Sequence, residues 1–349
     1  MRRINGVIRL TYKRRELFFR TEGTLGPLQM FHATISRVSA SIIPFGSRVR
    51  CFSVTSAVRS AHRHESRKTL LSINEKYANK QPIQMVTAHD FLTGRMCEKA
   101  EVDVVLVGDS LSMTTLGYDD TNELTLEEFL FHVQLVSRGN KSSFIVADLP
   151  FGTFERNLEQ AIDSLVRIIK EGKVQGIKIE GASPDTLTTI GKLVDIGIPI
   201  IGHVGLLPQK HNTIGGFKLQ GTLVESALRI YEDCLALQKA GVFGIVLECI
   251  PNQLAKYITE RLDVPTIGIG AGPHCLGQVL VIADMLGMCD GHIPKFVKKY
   301  NNFFDQGVES IKQYGKDLTD KTFPEPDEHG YKIKRDVLAQ FKEAADKVK

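Results

Sequence analysis

The chain alternates short apolar runs with segments of helical periodicity. Each run is nearly continuous rather than alternating, which is typical of strands buried on both faces of a parallel sheet. In chain order they are IQMVTAHD with Asp90, VDVVLVGDSL with Asp109, FIVADLPFG with Asp148, GIKIEG with Lys178 and Glu180, IPIIGHVG with His203, GIVLECI with Glu248, PTIGIGAG, and QVLVIADMLG with Asp284. One Asp after a strand usually begins a turn or caps a helix, but eight independent caps explain this regularity poorly.

Helical periodicity fills the intervals between the runs. Leu158, Ile162 and Leu165 fall on one face of NLEQAIDSLVRIIKEG. Glu128 follows Thr125 by three residues, which is the capping-box signature of a helix start. Strands that alternate with helices predict a parallel sheet, and eight units over roughly 220 residues match a TIM (β/α)8 barrel. A doubly wound open sheet is the alternative, because periodicity alone does not show closure.

Closure of the barrel would bring the polar strand ends together in one site. The C-terminal ends of the strands of a TIM barrel converge on one face, and the active site is built there. Residues far apart in sequence would then surround one pocket. The residues expected there are Asp90, Asp109, Asp148, Lys178, Glu180, His203 and Glu248.

Positive charge is concentrated in the first 68 residues. This segment holds 14 Lys and Arg against 3 acidic residues, a net charge of +11, whereas the whole chain carries +4. It is rich in Arg and Ser, as mitochondrial targeting sequences are, and Arg50 shortly precedes Phe52 and Ser53, as at a matrix-protease cleavage site. We predict that residues 1–68 are a targeting or disordered extension and that the protein enters the mitochondrial matrix. The alternatives are a cytoplasmic extension or a start codon placed too far upstream.

The rest of the chain carries 30 basic against 37 acidic residues, so it offers no basic footprint for nucleic acid. No apolar run approaches the ~18 residues that span a bilayer, so no membrane partner is expected. We predict a TIM-barrel catalytic domain over residues 69–324 and a partly helical C-terminal tail over 325–349. The six cysteines form no CxxC pair and no zinc-finger spacing, so buried reduced thiols are expected.

Three of the strand-end groups, Asp109, Asp148 and Glu180, are carboxylates with no arginine beside them in sequence. Converging carboxylates would repel one another unless a cation neutralised them. Oxygen ligands favour Mg²⁺, and zinc is disfavoured because His203 is the only histidine among the residues expected in the pocket. Three separately hydrogen-bonded carboxylates are the alternative.

A Mg²⁺ ion with open positions, a lysine and a further carboxylate suit the activation of a 2-oxo acid. The metal could chelate the keto and carboxylate oxygens and stabilise the enolate that forms when the adjacent carbon loses a proton. Lys178 would balance the carboxylate charge of the substrate. His203 would donate a hydrogen bond to the substrate, or would be a core histidine with a backbone partner.

The glycine-rich stretch IGIGAGPHCLG has G-x-G-x-G spacing and no acidic residue at the ribose position of a dinucleotide site. We interpret it as a tight loop at the barrel rim after the seventh strand. A Rossmann domain is the weaker alternative.

A set of motifs follows in order from about residue 70 to 324. The motifs are TAHD, VGDSLSMTTLGYDDT, ADLPFGTFE, IKIEG, GHVGLLPQ, GGFKLQG, LECIP, VPTIGIGAG and PKFVKKY. Taken together, they resemble the ketopantoate hydroxymethyltransferase family, in its mitochondrial fungal form. The resemblance implies a TIM barrel that binds Mg²⁺. It also implies transfer of a hydroxymethyl unit from the co-substrate 5,10-methylenetetrahydrofolate to 3-methyl-2-oxobutanoate, giving 2-dehydropantoate for coenzyme A biosynthesis.

The resemblance also implies roles for individual residues. Asp109, Asp148 and Glu180 resemble the metal ligands, and Glu248 resembles the catalytic proton acceptor. The residues that resemble the substrate-binding set are Asp109, Ser110, Asp148, Lys178 and His203. The folate-contacting residues stay unassigned. Ser112, Ala182 and Leu207 depart from the usual pattern, which affects the expected shape of the pocket and not its chemistry.

Two other functions fit parts of this pattern. A Mg²⁺-dependent C–C lyase of the phosphoenolpyruvate mutase and isocitrate lyase group would need no folate, but its catalytic-cysteine motif is not found. A catalytically inactive barrel that serves as a binding protein would have lost strand-end groups, whereas this chain retains them. The family resemblance further implies small-molecule partners and a homo-oligomer, such as a decamer.

Overall fold

The computed structural model describes residues 67–291 and 293–348, together with two short strands, Tyr12–Lys13 and Glu16–Leu17, that pair antiparallel. The predicted cleavage site near Arg50 lies outside the described residues. Among the residues described, no helix combines the length and the apolar character needed to cross a bilayer.

Eight parallel strands form a closed barrel, as the eight apolar runs predict. The strands are β1 Ile83–Thr87, β2 Val104–Val107, β3 Phe144–Asp148, β4 Gly176–Glu180, β5 Ile200–Gly205, β6 Gly244–Glu248, β7 Thr266–Ile269 and β8 Gly277–Leu280. β8 pairs with β7 through Gly277 and Ile267 and with β1 through Val279 and Met85. This double pairing closes the sheet, so the open doubly wound alternative is wrong.

Burial on both faces explains why the strands are continuously apolar. In β3, Phe144 and Val146 belong to the cluster inside the barrel, whereas Ile145 and Ala147 pack in the cluster that includes helical residues such as Leu165. All four side chains are buried. Alternation between two buried faces leaves polar groups a place only at the strand ends.

The helices surround the barrel and extend beyond it. They are α1 Leu70–Ala78, α2 Phe91–Lys99, α3 Leu126–Gly139, α4 Leu158–Gly172, α5 Pro184–Asp195, α6 His211–Ile214, α7 Val224–Ala240, α8 Asn252–Thr259, α9 Ile282–Leu286, α10 Phe303–Asp320, α11 Pro326–His329 and α12 Arg335–Ala345. Ile73 of α1 packs in the inner cluster, so α1 covers one end of the barrel. The capping box predicted at Thr125 is confirmed, because Thr125 and Glu128 bond reciprocally at the start of α3.

The alternation of strand and helix breaks between β7 and β8. Residues 270–276 join these strands without a helix among the described residues, and Gly270 and Gly272 take left-handed conformations there. The predicted tight rim loop is therefore confirmed. The last apolar run is a shorter strand than predicted, because β8 ends at Leu280 and Asp284 lies in α9.

Candidate active site

The strand ends bring most of the predicted polar residues into one buried group. Asp148 ends β3, Lys178 and Glu180 lie on β4, and His203 lies on β5. Asp109 follows β2 by two residues, and Glu248 is the last residue of β6. All except Glu248 are less than one-tenth exposed, so this group of charges lies almost entirely out of contact with water.

Lys178 is the central cation of the group. Its Nζ lies 2.9 Å from Asp148 Oδ1 and 3.6 Å from Glu180 Oε1. Burial alone would lower the pKa of Lys178, but the charges of Asp148, Glu180 and Asp109 outweigh it and raise the pKa above its usual range. Lys178 is therefore held as a cation, and its ammonium group already faces carboxylates of the protein.

Negative charge exceeds positive charge around Asp109. Burial, and then the neighbouring carboxylates Asp148 and Glu180, raise the pKa of Asp109 well above its usual value. The backbone N–H of Asp109 donates to Asp148 Oδ2 at 2.9 Å, which joins the ends of β2 and β3. The Glu180 carboxyl behaves oppositely, because Lys178 and His203 outweigh its burial and lower its pKa.

Gln209 is a member of the site that sequence reasoning missed. Its side-chain amide donates to Asp109 Oδ2 at 2.8 Å and to the carbonyl of Leu149 at 2.9 Å. Its backbone N–H donates to Glu180 Oε2 at 3.2 Å. The only signal in the sequence was its place at the end of the motif GHVGLLPQ, since an uncharged amide carries no charge pattern.

His203 connects the carboxylate group to Glu248. Its Nδ1 lies 3.3 Å from Glu180 Oε1, and its Nε2 lies 3.1 Å from Glu248 Oε2. Burial and the nearby Lys178 favour the neutral ring, but hydrogen bonds and charge from Glu180 and Glu248 raise the pKa of His203 to about 9. His203 therefore has carboxylate partners in place of the backbone partner of the alternative interpretation. Its predicted contact with substrate stays a prediction.

Glu248 is the most accessible of these charged groups, and its side chain is 16% exposed. Glu248 and Ser110 both line a cavity of about 1780 Å³.

The residue after Glu248, Cys249, takes a left-handed backbone conformation with φ of 47°. Burial and the charge of Glu248 raise the pKa of Cys249 to about 12, so its thiol is protonated and unreactive at neutral pH.

One residue expected in the pocket serves a structural purpose. Asp90 stands three residues beyond β1 and caps α2, where its carboxylate accepts the backbone N–H of Thr93 at 2.7 Å. The Thr93 hydroxyl completes a capping box with the backbone of Asp90. Placing Asp90 around the pocket was wrong, and the ordinary cap explains it.

The donor set of the site suits a hard cation. Asp148 Oδ1 and Glu180 Oε1 are buried, and within the described residues no donor meets either of them with good hydrogen-bond geometry. Lys178 approaches both as an ion pair, and His203 Nδ1 lies 3.3 Å from Glu180 Oε1. Carboxylate oxygens with free lone pairs are the ligands that Mg²⁺ prefers. As the side chains stand, however, no group of three or more His, Cys, Asp or Glu within the described part of the chain is close enough to hold a metal ion. The chemistry fits a cation, and the side chains of Asp109, Asp148 and Glu180 would have to close around it.

A closed parallel barrel with a buried acidic site at its C-terminal strand ends defines this protein as a TIM-barrel enzyme. A sequence model described as "Ketopantoate hydroxymethyltransferase" matches residues 67–326. The chain belongs to this family.

Two relatives named 3-methyl-2-oxobutanoate hydroxymethyltransferase show how far the similarity extends. The protein from Emericella nidulans is 43% identical over 80% of this chain and 80% of its own length. A protein of Arabidopsis thaliana, whose name adds "1, mitochondrial", is 43% identical over 79% of this chain and 81% of its own.

Among solved structures, the chain resembles a phosphonopyruvate hydrolase described in complex with oxalate and Mg²⁺. The TM-score is 0.51, with 12% identity over 80% of this chain and 97% of that one. At such low identity the likeness supports the barrel fold alone.

Proposed function

We propose that the protein transfers the one-carbon unit of 5,10-methylenetetrahydrofolate to C3 of 3-methyl-2-oxobutanoate as a hydroxymethyl group, with water supplying the hydroxyl oxygen, giving 2-dehydropantoate and tetrahydrofolate. The observation that carries this proposal is the convergence of Asp109, Asp148, Lys178 and Glu180 with Glu248 in one site, linked by His203. These groups supply what deprotonation beside a keto group needs: a buried acidic cluster for a cation and a base that faces a cavity. The names of relatives at 43% identity supply the oxo-acid substrate and the hydroxymethyl group that it receives. The folate donor is what the family resemblance implies.

Each part of the site has a separate task in this proposal. Asp109, Asp148 and Glu180 would hold Mg²⁺, which supplies stabilisation of the negative charge that develops on the keto oxygen of the substrate. Glu248 accepts the proton from C3, and the imidazolium of His203 fixes the orientation of the Glu248 carboxylate. Lys178 and Ser110 bind the substrate carboxylate, and Gln209 holds Asp109 and Glu180 in place.

The test is consumption of 3-methyl-2-oxobutanoate by the purified protein. We expect 2-dehydropantoate to form only when both Mg²⁺ and 5,10-methylenetetrahydrofolate are present. Cleavage of a 2-oxo acid without folate would instead support the lyase group. Absence of any turnover, with substrate still bound, would support the inactive-barrel alternative.

We also propose import into mitochondria, directed by residues 1–68. The support is the net charge of +11 in this segment and the mitochondrial name of the Arabidopsis relative. A reporter fused to residues 1–68 should enter mitochondria. A fusion in which the Arg residues are replaced by Gln is the control, and cytoplasmic retention of the unaltered fusion would contradict the proposal.

We further propose a homo-oligomer that acts on small molecules and uses neither nucleic acid nor membranes. The excess of acidic over basic residues after residue 68 argues against nucleic acid. The support for the oligomer comes from α10, an 18-residue helix on which no side chain is buried. Its apolar residues recur along one face and stay exposed, including Phe304, Val308, Ile311 and Leu318. A helix with such a stripe gains its stability from packing, and a second copy of the chain would provide the packing surface.

A further inference from the structure

The cavity beside Glu248 is larger than a small oxo acid requires. Its volume is about 1780 Å³, whereas pockets that hold drug-sized ligands occupy roughly 300–1,000 Å³. The cavity begins at Ser110 and Glu248 and extends along β8, where Gln278 forms part of its wall. Because no helix joins β7 to β8 in the described chain, this side of the barrel stays open. A second and larger reactant therefore has room next to the proposed base.

The walls of the cavity suit a flat, apolar ring. Met113, Phe217, Leu219 and Phe296 all line it, and each is at least one-third exposed. Aromatic and thioether side chains stack favourably against planar heterocycles, with ring centroids ~4.5–7 Å apart. Exposed apolar side chains in a concave lining indicate a ligand-binding surface.

The lining also contains a carboxylate that meets no partner within the described part of the chain. Asp284 of α9 lines the cavity, and among the described residues its carboxylate takes part in no hydrogen bond and no ion pair. Its side chain is half-buried, and burial alone raises its pKa. A partly desolvated carboxylate without a partner costs free energy, so this position favours a ligand that donates hydrogen bonds.

We propose that Asp284 binds the pterin ring of the folate co-substrate. The 2-amino-4-oxo edge of a pterin carries two adjacent N–H donors, and a carboxylate accepts such a pair in the same bidentate way that it accepts a guanidinium group. The ring would lie against the apolar lining, and the glutamate tail would reach Lys218 or Lys295 at the exposed edge of the cavity. This inference rests on the proposed function, because it assigns the site of its second substrate.

The experiment measures folate binding and proton abstraction separately in the full-length protein. Tetrahydrofolate binding is followed by calorimetry. Proton abstraction at Glu248 is followed by exchange of the C3 proton of 3-methyl-2-oxobutanoate in D₂O with Mg²⁺ present. The variant is Asp284→Asn, and Asp290→Asn is the matched control, because Asp290 is an exposed carboxylate nearby in sequence that does not line the cavity.

We expect Asp284→Asn to weaken tetrahydrofolate binding about 10- to 100-fold, which is typical of a lost charge-assisted hydrogen-bond pair. C3 exchange should stay normal, and this also shows that the variant is folded. A 2-desamino analogue of tetrahydrofolate should bind the unaltered protein about as weakly as tetrahydrofolate binds the variant. Asp290→Asn should change neither readout.

The outcomes distinguish a failure of the Asp284 assignment from a failure of the proposed function. Unchanged tetrahydrofolate binding in Asp284→Asn, or equal binding of the 2-desamino analogue by the unaltered protein, overturns the assignment of Asp284 and leaves the proposed function standing. An unaltered protein that binds no tetrahydrofolate overturns both. Normal folate binding without any C3 exchange in the unaltered protein contradicts the proposed base chemistry, and the binding results still decide the role of Asp284.

Discussion

Asp90 and Asp109 follow similar apolar runs, yet they have different roles. Asp90 is followed three residues later by Thr93, and the two form a capping box at the start of α2. Asp109 has no such local partner and makes its contacts with β3 and with Gln209. The local sequence, with Thr93 three residues after Asp90, already indicated a helix cap. The recurrence of polar residues at the ends of apolar runs was therefore the wrong criterion for Asp90. For Asp109, the same recurrence correctly predicted a position in the group of polar strand ends.

Gln209 marks the limit of prediction at this scale. Charged strand ends are recognisable because a charge next to an apolar run needs an explanation. A neutral amide in a loop needs none, and its contacts with Asp109 and Glu180 depend on the path of the chain after β5. Sequence reasoning therefore identified the charges of the site and missed the uncharged residue that holds two of them.

Replacement of Asp109 tests the cation site. Asp109→Asn keeps the shape of the side chain but removes a negative charge that is buried beside Asp148 and Glu180. We expect the variant to be at least as stable as the unaltered protein without Mg²⁺, because a buried repulsion is removed. We also expect calorimetry to show Mg²⁺ affinity lower by at least ~10-fold, with a comparable loss of turnover, because one hard oxygen ligand is lost.

Asp119→Asn is the matched control, since Asp119 is exposed in the same loop region. If Asp109→Asn binds Mg²⁺ as tightly as the unaltered protein does, Asp109 is a structural carboxylate and not a metal ligand.

At the scale of elements, the apolar runs predict the strands well because each strand is buried on both faces. The helices are predicted where an apolar face repeats. The exception is the connection from β7 to β8, where residues 270–276 are too few and too rich in Gly and Pro for a crossover helix. The short length of β8 was not predictable, because IADML continues the apolar run but folds as α9.

Close packing of α2 on α3 gives a prediction about stability. Gly94 lies within α2, and a Cβ atom added there would meet the backbone oxygen of Val136 at 2.9 Å and its Cα at 3.1 Å. Alanine favours a helix over glycine by ~1 kcal/mol, but overpacking against a rigid backbone costs ~1–3 kcal/mol. The difference between these two effects predicts that Gly94→Ala lowers the free energy of unfolding by up to about 2 kcal/mol in a denaturant titration.

The control for this prediction is Gly191→Ala in α5, where an added Cβ would meet no atom within 4 Å. Only the helix propensity applies there, so stability should stay equal or rise by up to ~1 kcal/mol. Equal effects of the two substitutions would contradict the close contact between α2 and α3.

At the scale of the whole molecule, the number of strand–helix units predicts the barrel, and the pairing of β8 with β1 establishes it. The sequence also indicates that the C-terminal region is helical. It does not indicate that α10 leaves its apolar face exposed, because a periodic stripe looks the same whether it packs on its own barrel or on another chain.

Assembly through α10 can be tested by light scattering of the full-length protein at micromolar concentration. Ile311 is 73% exposed on the apolar face, and Ile311→Asp places a charge there. We expect the unaltered protein to be a homo-oligomer, such as a decamer, and the variant to dissociate into smaller species. Gln313→Asp, on the polar side of the same helix, should leave the mass unchanged, and a monomeric unaltered protein would contradict the proposal.

The central claim is that Glu248 removes the C3 proton of a 2-oxo acid held at the strand ends. Glu248→Gln keeps the size of the side chain and one acceptor oxygen for His203, but it removes the basic carboxylate. The most direct measurement is exchange of the C3 proton of 3-methyl-2-oxobutanoate in D₂O with Mg²⁺ present. The account predicts that the variant still binds the substrate and that its exchange rate falls by ~10²- to 10⁴-fold. Exchange at the normal rate in Glu248→Gln would contradict the account, because another group would then be the base.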